Sequence, residues 1–167
     1  MARSKAAGDL AYRSLTAPWD AALELFRFAG ASAPARERVE SGWGAWDGER
    51  LVGALVAERA GGSAMLHGPV VVAPSDAPAE VAVEVASALL ASALSHAATQ
   101  GIDTLFTRPQ GLDRIWVRHG FIPVPEAELP AELRGRPGLG LFGWRGGTAL
   151  WSAAGRGAPR ARALGRR

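Results

Sequence analysis

A chain of 167 residues with 48% hydrophobic and 21% charged residues is the size of one domain, long enough to bury about two-thirds of its unfolded surface. It has no cysteine, which excludes disulfides, thiolate metal ligands and a thiol nucleophile, and fits a reducing cytoplasm. The net charge of +3 belongs to the ends: without Arg3, Lys5 and the arginines at 156, 160, 162, 166 and 167, 12 arginines face 16 carboxylates, so the body is mildly acidic and offers no basic face to a specific nucleic-acid partner.

The opening MARSKAAGDLAYRSL has a basic start but no apolar run of signal-peptide length. No segment is expected to reach the roughly 20 apolar residues of a membrane span, so the protein reads as cytoplasmic with no membrane partner. Residues 1–14 read as a flexible N-terminus, 15–153 as one domain, and 154–167 as a disordered basic tail without the apolar periodicity that would offset its ordering entropy.

In TAPWDAALELFRFAG, Thr16 as N-cap, Pro18 near the first turn, and Ala22, Leu25, Phe26 and Ala29 at helical spacing predict an amphipathic helix stopped by Gly30. From Gly42 onward the turn signals Asp47-Gly48-Glu49 and Ala60-Gly61-Gly62 separate β-compatible runs, which predicts a three-strand antiparallel meander. Trp43 and Trp46 point to opposite faces of their strand, one for the core and the other for a pocket or interface. Residues 79 to 100 form an alanine-rich helix with Val81, Val85, Leu89, Leu90 and Leu94 along one side and Gly101 as its left-handed stop. IDTLFT then reads as a short strand, GLDRIWVRHG as a short helix burying Leu112, Ile115 and Trp116, FIPVP as a strand near an edge, and GLGLFGW and TALWSA as the last strands.

That order of elements, from Leu15 to Trp144, resembles the GNAT superfamily of N-acetyltransferases on two landmarks. VVVAPSDAPAEVAVEVASALLASAL is similar to the family's fourth strand, its Val-x-Pro exit (Val72, Ala73, Pro74) and its long cofactor-binding helix. LDRIWVRHGFIPV is similar to the family's short helix ending in Gly-Phe, here Gly120 and Phe121. The resemblance implies an α/β (α+β) domain with a mixed sheet of about six to seven strands, the meander leading into a strand-helix-strand crossover. It implies two parallel strands that diverge beside Pro74. It also implies acetyl transfer from acetyl-CoA to an amine by direct attack, with the backbone of Val70, Val71 and Val72 along the thioester arm and no metal. The expected partners are a small-molecule or peptide amine and a second copy of the chain.

The chain departs from the family's pattern at three places. Where the family keeps a glycine-rich phosphate loop, Ala77, Pro78, Ala79, Glu80, Val81 and Ala82 supply no glycine and no cation, and Pro78 removes one amide. Asp76 and Glu80 are expected to cap the helix themselves and to repel a phosphate. Where many members place a tyrosine that protonates the departing thiolate, Trp116 stands, and an indole N–H has no useful acidity. The single tyrosine, Tyr12, is near the N-terminus, and Pro109 occupies the position of a common asparagine. These departures define the alternative: a non-catalytic GNAT-like module for protein interaction or ligand sensing, with Trp46 or Trp116 stacking a ligand.

Among ionisable residues, His67 in the fourth strand is suited to deprotonate an amine, while His96 and His119 read as structural or exposed. Glu58, directly before Arg59 at a turn, reads as a solvated charge, with a base on the third strand as the alternative. Arg108, Arg114 and Arg118 read as a solvated cluster, the last two on one helix face, with an anionic ligand as the alternative. The glycine-rich GRPGLGLFGWRGG lacks the lysine and helix of a P-loop.

Overall fold

Gly48 and Gly61, both at φ +59, close two tight turns that fold the chain's middle third into consecutive antiparallel strands. The computed structural model describes residues 9–73, 76–109, 111–134 and 150–154. Its elements are β1 (Ala11–Leu15), α1 (Asp20–Phe28), β2 (Ser41–Asp47), β3 (Arg50–Ala60), β4 (Ser63–Val71), α2 (Ala79–Thr99), β5 (Thr104–Thr107), α3 (Asp113–Arg118), β6 (Ile122–Pro123) and β7 (Trp151–Ala154). They form one seven-stranded sheet in the order β1-β2-β3-β4-β5-β7-β6, parallel between β4 and β5 and antiparallel elsewhere. The expected mixed sheet, meander and crossover are all present.

Two expectations are corrected at the N-terminal end. Residues 11–14, read as flexible, form β1 with Leu15 and pair with β2 from Ala11↔Trp46 to Leu15↔Gly42. Its five residues carry little pattern of their own; pairing with β2 and contact with both cores hold it, Tyr12 packing on the α2 side and Leu15 on the α1 side. Helix α1 begins at Asp20, with Trp19 rather than Thr16 at the N-cap, and Asp20 places a carboxylate in the first turn, where the helix dipole favours it.

Helix α2 covers one face of the sheet. Val85, Ala86, Leu89, Leu90, Ala93, Leu94 and Ala97 are buried, and the fully buried leucines contribute about 1.5–3 kcal/mol each. Gly53 on β3 lets the helix come close: a Cβ there would lie 3.2 Å from both Leu89 Cδ1 and Val85 Cγ1. By length and composition α2 does match a membrane span, with 21 residues and a hydropathy of 1.5, contrary to the sequence expectation. Its buried stripe faces the sheet, the use a core helix makes of such apolarity.

On the other face α1 buries Ala22 and Phe26 against Ala54, Val56 and Val70, and a third cluster gathers Met65, Phe106, Leu129, Leu133 and Leu150. Trp43 is core on the α2 side, edge-on to His96 at 5.4 Å, while the Trp46 ring lies 5.0 Å under the Arg13 guanidinium. The strand expected at GLGLFGW and the C-terminal tail fall outside the described residues, whereas the strand expected in TALWSA is β7.

Candidate active site at the divergence of two parallel strands

Strands β4 and β5 pair over four residues, from Ser63↔Thr104 to Leu66↔Thr107, and then part. The parting begins at His67, seven residues before the Pro74 position expected from the sequence. Each strand contributes a reason. On β5 the residue two beyond the last pair is Pro109, which has no N–H to continue a ladder. On β4 the register against β3 goes from Val56↔His67 to Ala54↔Val70, so Gly68 and Pro69 together oppose Leu55 in a β-bulge. Gly68 takes φ +98, and the bulge bends β4 away at the point where β5 stops.

The divergence opens a cleft of about 260 Å³. One wall is β4 from Met65 to Val70, a second is the loop at residues 29–32 after α1, and a third carries Arg108, Gly111, Leu112 and the indole of Trp116. Leu112, the residue before α3, is held in the left-handed region at φ 60 and is partly exposed at this wall. Trp116 is 1% exposed and edge-on to Phe121 at 4.9 Å. Its indole N–H is a donor that cannot act as an acid.

His67 lines the cleft with 9% of its side chain exposed, and its Nε2 lies 2.8 Å from Oε2 of Glu58, which is 2% exposed. Glu58 is therefore not the solvated charge expected from its neighbour Arg59. In the β3–β4 hairpin Glu58 sits opposite Met65, and His67 is its diagonal neighbour two positions on, on the same face. The Gly61-Gly62 turn fixes that register, so the signal for the pair was the turn itself. Arg108 is the cleft's other charged side chain among the described residues; it is 13% exposed and held by a bidentate pair with Glu126, Nη2 donating to Oε2 at 2.6 Å. That hydrogen bond, with the guanidinium charge, holds the Glu126 carboxyl below the usual carboxylate range against the opposing effect of partial burial.

The remaining predicted residues distribute as follows. Val70 lines the cleft; Val71 and Val72 do not, and the amide of Val72 donates to Val52 O at 2.8 Å. Arg114 and Arg118 are exposed on α3, away from the cleft lining. His119 meets Ser87 Oγ of α2 at 3.1 Å. Tyr12 lies three strands from β4, and burial, with the nearby Glu84 carboxylate, pushes its phenol up. At the start of α2 the self-capping expected of Asp76 is not formed: the N-cap is Pro78 with no side-chain cap hydrogen bond, and Glu80 stands in the first turn. Among the described residues no group of three or more His, Asp or Glu gathers to hold a metal.

A meander, a bulged strand parting from its parallel neighbour, and a long helix running back over the sheet make this the fold of the GNAT acetyltransferases. An acetyltransferase of the GNAT family from Staphylococcus aureus superposes over 87% of this chain and 98% of its own, with TM-score 0.61 and 10% identity. N-acetylglutamate synthase from Neisseria gonorrhoeae, solved with coenzyme A and N-acetyl-glutamate, matches 87% of this chain and 35% of its own at TM-score 0.62 and 15% identity. The ribosomal-protein-S18-alanine N-acetyltransferase from Escherichia coli matches 94% of this chain and 99% of its own at TM-score 0.59 and 13% identity. No family model and no curated protein sequence matches the chain.

Proposed function

We propose that this protein transfers an acetyl group from acetyl-CoA to an amine within the β4–β5 cleft, by direct attack and without a covalent enzyme intermediate. The observation that carries the reading is the bulged edge of β4 from His67 to Val70, freed from β5 and facing a cleft with a titratable side chain at its base. A thioester laid along that edge meets backbone groups, so the polarisation of its carbonyl depends on no particular side chain. These residues fit the thioester end of acetyl-CoA. The diphosphate end is held by the opening amides of α2, which no side chain caps, and Glu80 weakens that hold by bringing a carboxylate into the same turn.

His67, through its ring, accepts the proton that an incoming ammonium must lose. The departing thiolate receives no proton from Trp116 and draws one from the newly acylated nitrogen instead. A cysteine-free composition is compatible with a reaction in the cytoplasm. A second reading, a non-catalytic module of the same fold, draws on the indole at position 116 and on Glu80.

Calorimetry with acetyl-CoA and with CoA, at ligand up to about 1 mM, separates the two. Acetyl transfer requires saturable heat with acetyl-CoA; its absence leaves the non-catalytic module.

A further inference from the structure

The buried pair beneath the cleft has a more specific consequence. We infer that Glu58 and His67 form a proton-accepting dyad, in which the Glu58 carboxylate fixes the imidazole so that Nδ1 is the atom that takes the proton from the acceptor ammonium. This rests on the acyl-transfer reading above.

Three observations on two adjacent strands support it. The Nε2–Oε2 separation of 2.8 Å is a full hydrogen bond; with Glu58 ionised its carboxylate can only accept, which puts the hydrogen on Nε2 and leaves Nδ1 its lone pair. Glu58 is 2% exposed near the end of β3 and is not among the residues lining the cleft, so it meets a substrate there only through His67. His67, by contrast, is the first residue of β4 past the last β5 pair, and it lines the opening. A buried carboxylate with a histidine as its route to a cleft is the arrangement that selects a tautomer and orients a ring. Packing alone would favour an apolar residue at position 58, because burying a carboxylate costs more than burying a hydrophobic side chain.

The steps balance. One N–H bond of the acceptor ammonium breaks and its proton moves to Nδ1, leaving a neutral amine. The nitrogen lone pair forms a bond to the thioester carbonyl carbon, and the C–S bond then breaks with its electron pair on sulfur. The second departing proton passes from nitrogen to that thiolate, giving the amide and free CoA, and His67 returns its proton to solvent. Glu58 is a positioning residue throughout.

Long-range 1H–15N correlation of the His67 ring in the full chain, at pH about 8, reads the tautomer without any turnover. The dyad predicts a hydrogen on Nε2 and a bare Nδ1 in the unaltered chain, with that preference lost in Glu58→Leu and retained in the isosteric Glu58→Gln. A hydrogen on Nδ1 facing a protonated Glu58, or a ring carrying both hydrogens, would overturn it.

A second arm compares two nucleophiles with acetyl-CoA: ethanolamine, protonated at neutral pH, and hydroxylamine, already unprotonated. His67→Ala should slow acetylation of ethanolamine by about 10²–10⁴-fold and that of hydroxylamine by less than about tenfold. Equal losses for both would make His67 structural and overturn the dyad. Thiol release with neither nucleophile in the unaltered chain overturns acyl transfer itself, while the tautomer decides the dyad on its own.

Discussion

At Gly68 the backbone takes φ +98, and a Cβ would come within 3.1 Å of Ala54 O, Phe26 Cζ and Val70 N. Two of those atoms are backbone and cannot swing aside, so the site excludes a side chain by conformation and by space together. Gly68→Ala is expected to destabilise the fold by about 1–3 kcal/mol, measured as a shifted denaturation midpoint with an unchanged m-value. An unaltered midpoint would mean that the bulge makes no such demand. The Gly-Pro step was visible in MLHGPVVV as a strand-interior glycine followed by a residue without an N–H, which marks a bulge. The Val-x-Pro exit points to a divergence at Pro74 instead. The Glu58–His67 pair was legible in principle, since the Ala60-Gly61-Gly62 turn sets the hairpin register and the register sets the diagonal. Charge and a neighbouring arginine suggested solvent exposure, because a residue's burial depends on the apolar cluster of Met65, Leu129 and Leu133 that packs over that face from distant parts of the chain.

Among the elements, α2 was the most legible, because 21 residues of sustained apolar and alanine content with a glycine stop leave little choice of structure. Its start was not: two carboxylates near a helix N-terminus suggest capping, but a cap needs the right backbone geometry, and Pro78 holds that position at φ −58 with no side chain able to accept an N–H. The segment after α3 illustrates a different limit. Ile122–Pro123 is only two residues long and joins the sheet through β7, so its place depends on a partner almost thirty residues further along. The Arg108–Glu126 pair ties that segment back to the end of β5, and its contribution depends on pH. Arg108 lowers the folded-state pKa of Glu126, so the stabilisation is fully present above the ordinary carboxylate range and disappears as pH falls through the depressed folded value. Because Glu126 is 63% exposed, solvent screening keeps the effect below about 1 kcal/mol. Glu126→Gln should therefore be slightly less stable than the unaltered chain at neutral pH and equal to it in acid, by denaturation at both; a difference that persists in acid would assign the effect to packing.

For the whole molecule, the order of elements was readable from periodicity and turn residues, and it defined the fold class. The order of strands was less so: β7 enters between β5 and β6, a pairing between residues more than forty apart that no local pattern encodes. That insertion leaves β4 and β5 as the one parallel pair among the described strands, joined by the α2 crossover, and proline and glycine then part them. The cleft thus follows from topology and two local breaks, while the chemistry proposed for it rests on a histidine and a buried glutamate on adjacent strands. The central claim is that a CoA thioester lies in this cleft, and amide shift mapping of the 15N-labelled chain with acetyl-CoA at about 1 mM tests it most directly. The account predicts perturbations concentrated at His67, Gly68, Val70, Gly111 and Leu112, together with the Trp116 indole and the first turn of α2. Unmoved resonances, or shifts confined to surfaces away from β4, would contradict it.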